Sequence, residues 1–462
     1  MSNNPLANEN AFVKIKRGTK KNKPVIESGN IKAELIGMNN AIPICAEACS
    51  CCWDKQTPDD YAGKAQYIAK RSIIGHTSVL EHSNYVLYLS VDNLYIEDLL
   101  TFLDWVNYLH TKLVKSTDGN KWHFIIGGSF RGFADLYREA DDLNNPILKA
   151  ITGNLYTYAN SAAFVDICRL GLLDESMFRN IEPDENCCIL TDENANDFET
   201  NLFKIIGVDS ISKLYTNLYK VSEDAASLIT TYDLIKFVTI SILFKNMSRT
   251  CTHQLVRHRN AITQESQRYV DYSKSCFSNP ANFEGNKYDK DHKYKIRFAS
   301  SAPMHLTLDE IGKAMCDIYG MLHNPAIAGQ EHSLMKQDAR AFLPSNVQCK
   351  KIYMTFTYKN FFKFLNLRED PAAQAEIRTY AKALGDVFRE NTKFNTKEIM
   401  DLYTQPRLLI SDPFTFDVDL GEREEVIDIT PDDYIKAAGL EGNDGEEVNN
   451  STTTNLKNGD EV

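Results

Sequence analysis

The sequence has no long apolar run: the longest, Phe237 to Phe244, falls far short of the roughly 20 residues a membrane helix needs. The N-terminus also lacks the apolar stretch of a signal peptide, so a cytoplasmic location and no membrane partner are expected. The 11 cysteines are odd in number and unevenly spread, which argues against the disulfide framework of a small secreted domain. Four of them, Cys45, Cys49, Cys51 and Cys52, cluster without paired CxxC spacing or an obvious histidine partner, so a packed thiol-rich segment is expected there and no metal site. Net charge is scarce over most of the chain. Residues 411–462 hold 15 acids and 3 bases, while the other 410 residues hold 48 of each, so the overall −12 belongs to a tail. A neutral body lacks the broad basic face of a nucleic-acid binder, and no nucleic acid partner is expected. With 43% hydrophobic and 10% aromatic residues, that body can bury one large core or two ordinary ones.

Residues 1–30 read as a flexible basic arm carrying Lys14, Lys16, Arg17, Lys20, Lys21 and Lys23. From 31 to 90 the pattern predicts a helix around Tyr61–Ser72, a turn at Gly75-His76, and an alternating strand through Tyr85, Leu87 and Leu89 with one buried face. In 91–231, Ile96, Leu99, Leu100, Leu103, Val106 and Leu113 share a helical face, and residues 181–200 hold seven acids and no base; the segment reads as a helical insertion with an acidic surface loop. A β-rich run at 235–244 then resumes the sheet beside the earlier strand and leads into a helix beginning near Ser248. Further helices are expected at 306–322, 330–341 and 373–390, followed from 411 by an acidic tail, disordered beyond about 440.

The densest chemistry lies in Arg249-Thr-Cys-Thr-His-Gln-Leu-Val-Arg-His-Arg259. If 248–259 is helical, Arg249, His253 and Arg257 stand on one face, while Cys251 and Leu255 share another that packs inward. Such a face suits a phosphate or a diphosphate, because arginine offers a fixed donor fork and keeps its charge; the bland alternative is a solvated basic helix. Gln264-Glu265-Ser266-Gln267-Arg268 reads as a polar loop able to seat a second anion.

Five segments follow one another in order: Gly75-His76-Thr77-Ser78-Val79-Leu80-Glu81-His82; Gln254-Leu255-Val256-Arg257-His258-Arg259 leading into Gln264 to Tyr269; Ala339-Arg340-Ala341-Phe342-Leu343-Pro344; Phe364-Leu365-Asn366-Leu367-Arg368; and Gln374-Ala375-Glu376-Ile377-Arg378. Together they resemble the flavin-dependent thymidylate synthases, a family marked by an Arg-His-Arg motif followed by a serine, over roughly 31–90, 232–280 and 330–410. The resemblance implies an α+β fold with a central mixed or antiparallel sheet flanked by helices, a catalytic domain at 31–90 and 232–410, and a homotetramer with active sites between subunits. It implies reductive methylation of dUMP to dTMP with FAD as cofactor, 5,10-methylenetetrahydrofolate as carbon donor and NADPH as reductant. Carried over residue by residue, the cofactor contacts fall on His76, Ser78, Arg257, His258, Arg259, Gln264, Thr357, Tyr358, Lys359 and Lys363. The dUMP contacts fall on Gln254, Arg257, Gln264, Glu265, Ser266, Gln267, Arg268, Arg340 and Arg368, with Arg368 the catalytic residue that stabilises charge on the pyrimidine ring. Thr357-Tyr358-Lys359 stands where the family commonly has Asn-Ala-Arg, Lys363 replaces an asparagine, and Ala372 replaces a histidine. No cysteine has an evident activating setting for a thiolate nucleophile, and Cys251 reads as core. Gly127-Gly128-Ser129-Phe130-Arg131 reads as a turn between a strand and a helix at Phe133–Ala140, with the alternative that it reaches the cofactor. The rival to an active enzyme is a diverged nucleotide-binding or regulatory homologue without redox turnover.

Overall fold

A computed structural model describes residues 31–53, 55–73, 76–157, 188–192, 198–275, 277–284, 288–297, 301–324, 333–390 and 417–419. The basic arm at 1–30, most of the acidic loop and nearly all of the acidic tail lie outside the described residues. The strands, in chain order, are β1 (Ala33–Met38), β2 (Tyr85–Asp92), β3 (His110–Lys115), β4 (Lys121–Gly128), β5 (Phe203–Val208), β6 (Thr239–Ser248), β7 (Ala261–Gln264), β8 (Tyr294–Ile296), β9 (Met304–Leu306), β10 (Gln348–Thr357) and β11 (Asp417–Asp419). One sheet runs β1-β2-β4-β3-β11, a second runs β5-β6-β10-β7, and β8 pairs with β9. All pairings are antiparallel except that of β11 with β3. The α+β class stands, but two principal sheets replace the single central one expected.

Three further expectations need correction. Strand β2 is buried on both faces, because one face meets the second sheet and its helices and the other is covered by helices. Its neighbour is not β6, which lies in the second sheet between β5 and β10. The 91–231 segment is not simply helical, for it supplies β3, β4 and β5. The helix read from Ile96 stops at Asp104, and Leu113 belongs to a strand. Between β3 and β4 the chain reverses through Thr117-Asp118-Gly119-Asn120, where Gly119 adopts φ 71° and the Ser116 N–H donates to the Lys121 carbonyl at 2.9 Å. Strands such as β4, apolar without alternation, carry little period-2 signal and are easily taken for helix.

Elsewhere the predicted elements are close to the observed ones. Helices run Tyr61–Ile73, Leu308–His323 and Ala375–Glu390, whereas the helix expected at 330–341 is described only as Lys336–Ala339. Strand β6 starts four residues later than expected, after the short helix Thr231–Leu234 that Thr230 and Asp233 close with a capping box. The first sheet's inner face (Ile36, Val86, Tyr88, Ile125) joins Phe203, Ile240, Ile242 and Phe244 of the second in one core. Its outer face (Leu87, Leu89, Phe124, Ile126) packs under the helices Ala41–Trp53, Tyr61–Ile73, Ile96–Asp104 and Pro146–Thr157. Cys45, Cys49 and Cys51 are buried within the Ala41–Trp53 helix of that second core.

A polar tie crosses the apolar interior. His82 is fully buried, with Nδ1 2.9 Å from Thr355 Oγ1 on β10 and Nε2 2.9 Å from Thr263 Oγ1 on β7. Burial pushes its pKa down to about 3, so the ring is neutral and fixes the Thr77–His82 turn against the second sheet. Because this folded-state value lies below the ordinary 6.5, falling pH protonates the unfolded chain first. The contribution is complete above about pH 6.5 and is lost as pH falls toward 3. His82→Ala should cost about 2–4 kcal/mol in urea unfolding at neutral pH, by loss of packing and of two hydrogen bonds. The acid limb of its stability–pH curve should be flatter than that of the natural protein.

Candidate active site

The Arg-His-Arg segment begins where β6 ends. Ser248 caps the helix Arg249–Leu255 by accepting from the Cys251 N–H at 3.0 Å. Its own N–H and hydroxyl donate to the two oxygens of Glu376, at 2.7 and 2.5 Å, and Ser278 Oγ adds a donor at 3.2 Å. Burial raises the Glu376 pKa, and these donors oppose that shift. The helix gives way to a 3-10 turn, Val256–His258, and Arg259 then takes the left-handed region at φ 48°. The face expected to run unbroken to 259 therefore stops early. Asn246 is the other non-glycine residue with positive φ among the described residues, so Arg259 holds an uncommon and costly backbone state. It turns the chain straight into β7, whose Ala261 pairs with Thr355 of β10. Cys251 is core as expected, and burial pushes its thiol pKa well up.

The predicted residues fall into three groups. In the first, Arg368 Nε donates to His258 Nε2 at 2.9 Å, while the His258 ring meets Phe364 edge-on at 5.1 Å. Burial, with the charges of Arg368 and Lys363, pushes His258 down to about 4, so it accepts as a neutral ring. Burial also lowers the Arg368 pKa; Cys251 opposes this and nearby Arg257 adds to it. Gln254 shares this region and donates its side-chain amide to Gln374.

The second group surrounds a cavity of about 650 Å³ between the two sheets. Arg259, Asn260, Thr355, Thr357 and Asn360 line one side; Glu81, Ser83, Asn84, Tyr108, His110, Ser129 and Arg131 line the other. Asn360 donates to Asn260 Oδ1 at 3.0 Å, and the Asn260 amide donates to the His258 carbonyl at 2.7 Å. Arg131 is paired with Glu81 at 2.7 Å and Asp135 at 3.5 Å. The 127–131 turn does join a strand to a helix, which starts at Phe130, three residues earlier than expected, and is capped by Ser129; the turn also lines the cavity with Arg259 and Thr357. Burial, with the charges of Lys236 and then Lys359, lowers His110 to about 4. Tyr358 is the exception. Thr357 caps the helix Tyr358–Arg368, and the first residue of that helix points inward: Tyr358 is buried, stacks on Phe362, and donates to the Asp209 carbonyl at 3.1 Å.

The third group gathers around the loop after β7. Gln264 ends β7 and donates to Thr252 Oγ1 at 3.0 Å; Glu265 is buried, with its carbonyl accepting from Arg249 at 2.6 Å. The open loop therefore begins at Ser266 rather than Gln264. The Ser266 N–H donates to the Cys52 carbonyl at 3.1 Å, and Ser266 Oγ accepts from the Arg268 N–H at 3.2 Å. Gln267 is half-buried in the same turn, Arg268 is exposed, and His76 packs edge-on against Trp53 at 4.6 Å. Arg340 is exposed just after the Lys336–Ala339 helix, which docks here through Lys336 Nζ and the Tyr269 carbonyl at 3.4 Å. Ser78 is exposed on the Thr77–His82 turn and joins none of the three groups by a hydrogen bond. Asn260, Asn360, Glu81, Arg71 and Trp53 escaped sequence reasoning; the scarcity of tryptophan, three in the chain, was the signal available for the last.

Residues 223–392 match the family model described as thymidylate synthase complementing protein. The flavin-dependent thymidylate synthase of Nitratidesulfovibrio vulgaris is 32% identical over 157 residues, covering 34% of this chain and 58% of the relative. That of Mycobacterium sp. (strain KMS) is 28% identical over 151 residues, 32% and 58% of the two chains, and that of Corynebacterium diphtheriae 26% over 163 residues, 34% and 60%. The chain thus spans under two thirds of these relatives' length. Over this segment, which contains the Arg-His-Arg motif and Arg368, its resemblance to flavin-dependent thymidylate synthases is established.

Since Glu376 holds the start of the Arg-His-Arg helix, Glu376→Ala should destabilise the protein by about 2–4 kcal/mol in urea unfolding, because buried donors on Ser248 and Ser278 lose their acceptor. Glu376→Gln, which keeps one acceptor oxygen, should cost less than half as much.

Proposed function

We propose that the chain is a flavin-dependent thymidylate synthase, methylating dUMP to dTMP with the carbon of 5,10-methylenetetrahydrofolate and with NADPH as reductant. The observation that carries the reading is the Arg368–His258 pair, set within the matched segment. The hydrogen bond engages Nε and so does not use the two terminal nitrogens of Arg368, which in this reading take the pyrimidine. A neutral histidine holds the guanidinium without cancelling its charge, as a carboxylate would. Held in this way, Arg368 stabilises negative charge on the pyrimidine at N3 and makes C5 nucleophilic with no covalent cysteine adduct. Gln254 and Arg257 flank the ring, and Ser266, Gln267, Arg268 and Arg340 take the phosphate. Gln264 and Glu265, turned inward, act by shaping the loop. Exposure of Arg268 and Arg340 suits a site completed by another copy, in the proposed homotetramer.

FAD supplies the hydride in this reading. Its contacts are Arg257, Arg259, Thr357, His76 and Ser78, with Lys359 and Lys363 as flanking charge. The cavity at Arg259 fits such a group: its volume is about 650 Å³, and guanidinium, amide and hydroxyl donors meet across it, as a phosphate- and hydroxyl-rich ligand requires. Tyr358 contributes packing only.

Purified protein should be yellow and should release tritium from 5-tritiated dUMP only when folate and NADPH are both present. Protein that stays colourless after incubation with FAD would overturn the reading. Arg368→Ala should retain the flavin spectrum and lose about 10²–10³-fold in kcat. Arg131→Ala should weaken FAD binding roughly tenfold by absorbance titration; unchanged affinity would remove the 127–131 turn from the cofactor site.

A further inference from the structure

Trp53 ends the Ala41–Trp53 helix, and Arg71 lies in the last turn of the Tyr61–Ile73 helix. The Arg71 guanidinium sits 4.3 Å from the centroid of the Trp53 ring and 5.5 Å from that of Tyr67. Trp53 in turn stacks on Tyr269, with centroids 5.7 Å apart and ring planes 23° from parallel. Arg268 lies 5.6 Å from the Tyr269 centroid. Two guanidiniums therefore lie against one tryptophan–tyrosine pair, one from a helix far upstream of the matched segment and one from the loop after β7. Among the described residues neither is ion-paired with a carboxylate. Aromatic faces hold them in place and leave their charge uncancelled. His76 lies edge-on to the same tryptophan, and burial, with the charges of Arg71 and Arg268, holds its pKa below the ordinary histidine value.

We propose that Arg71, Trp53, Tyr269 and Arg268 form one clamp for the phosphate of the nucleotide, with the Arg71 guanidinium added to those of Arg268 and Arg340. This rests on the assignment of the Ser266–Arg268 loop to nucleotide phosphate in the proposed function. The phosphate of a nucleoside monophosphate carries up to two negative charges near neutral pH and presents three acceptor oxygens, so a guanidinium beyond those of Arg268 and Arg340 still meets a charged acceptor. Ser266 supplies a hydroxyl beside Arg268, and its N–H bond to the Cys52 carbonyl ties the loop to the residue before Trp53. Trp53 is thus a positioning residue, through which Arg71 and Arg268 keep a fixed separation.

The test is calorimetric titration of the full-length, FAD-loaded protein with dUMP and, separately, with 2′-deoxyuridine, which lacks the phosphate. Arg71→Ala should weaken dUMP binding roughly tenfold or more and leave deoxyuridine binding unchanged; Arg71→Lys should recover part of the loss. Equal dUMP affinity in Arg71→Ala and the natural protein would overturn the clamp while leaving the thymidylate synthase reading intact. So would equal losses for dUMP and deoxyuridine, which would mark Arg71 as merely structural. Failure of the natural protein itself to bind dUMP would overturn the reading beneath. An independent measurement needs no variant of Arg71: dUMP should change the tryptophan emission of the natural protein and not that of Trp53→Phe, since Trp105 and Trp122 are buried. The same emission change in both proteins would also sink the proposal.

Discussion

The two oxygens of Glu376, which is buried, take the N–H and the hydroxyl of Ser248, and the helix that leads into the Arg-His-Arg turn starts from that contact. A carboxylate hidden from water is tolerated only when its acceptor capacity is filled, so the contact has little freedom to shift. Tyr380, one turn further along the same helix, grips the Lys245 carbonyl at 2.7 Å and gives β6 a second fixed point. The Gln374–Arg378 motif is thus an anchor for the Arg-His-Arg helix, and its Arg378 closes the preceding loop by donating to the Pro371 and Glu284 carbonyls.

The site uses few charges, and those it has are separated by design of the backbone. His258, His82 and His110 all titrate low because they are buried, so the interior between the sheets contains neutral rings where protonated ones would repel the arginines. Arg259 is set apart from Arg257 by its own left-handed backbone: Arg257 lies near Arg368, and Arg259 lines the cavity between the sheets. A regular helix would have kept both on nearby faces of one cylinder.

Much of this was legible in the residues. The serine before Arg249 signals a helix start, and the apolar stripes of the helices near 61, 308 and 375 locate them to within a turn. The Arg-His-Arg segment and the polar loop after it were legible as candidates for an anion, because arginine offers a fixed donor fork and keeps its charge. What escaped had physical reasons. The β3–β4 hairpin carries an Asp118-Gly119 turn signal that was available, but its strands are buried on both faces and show no alternation to set beside it. Tyr358 was placed by position in a motif, and position says nothing about which way a helix-opening side chain points. The cavity could not be read at all, since segments near 81, 108, 129, 259 and 357 meet there only after both sheets have formed.

The order of strands in the second sheet governs when the site can come into being. β10, at residues 348–357, lies between β6 and β7, which were made about a hundred residues earlier. As the chain leaves the ribosome, β6 and β7 each present a strand edge with no partner in register, and the Arg259 bend has nothing to hold it. In the first sheet β1 to β4 are complete by residue 128, and only the short edge strand β11 comes later. A nascent chain would therefore hold β1 to β4 of the first sheet well before the second sheet is complete, and the cavity lined by Arg259, Thr355 and Thr357 forms only when β10 takes its place between β6 and β7.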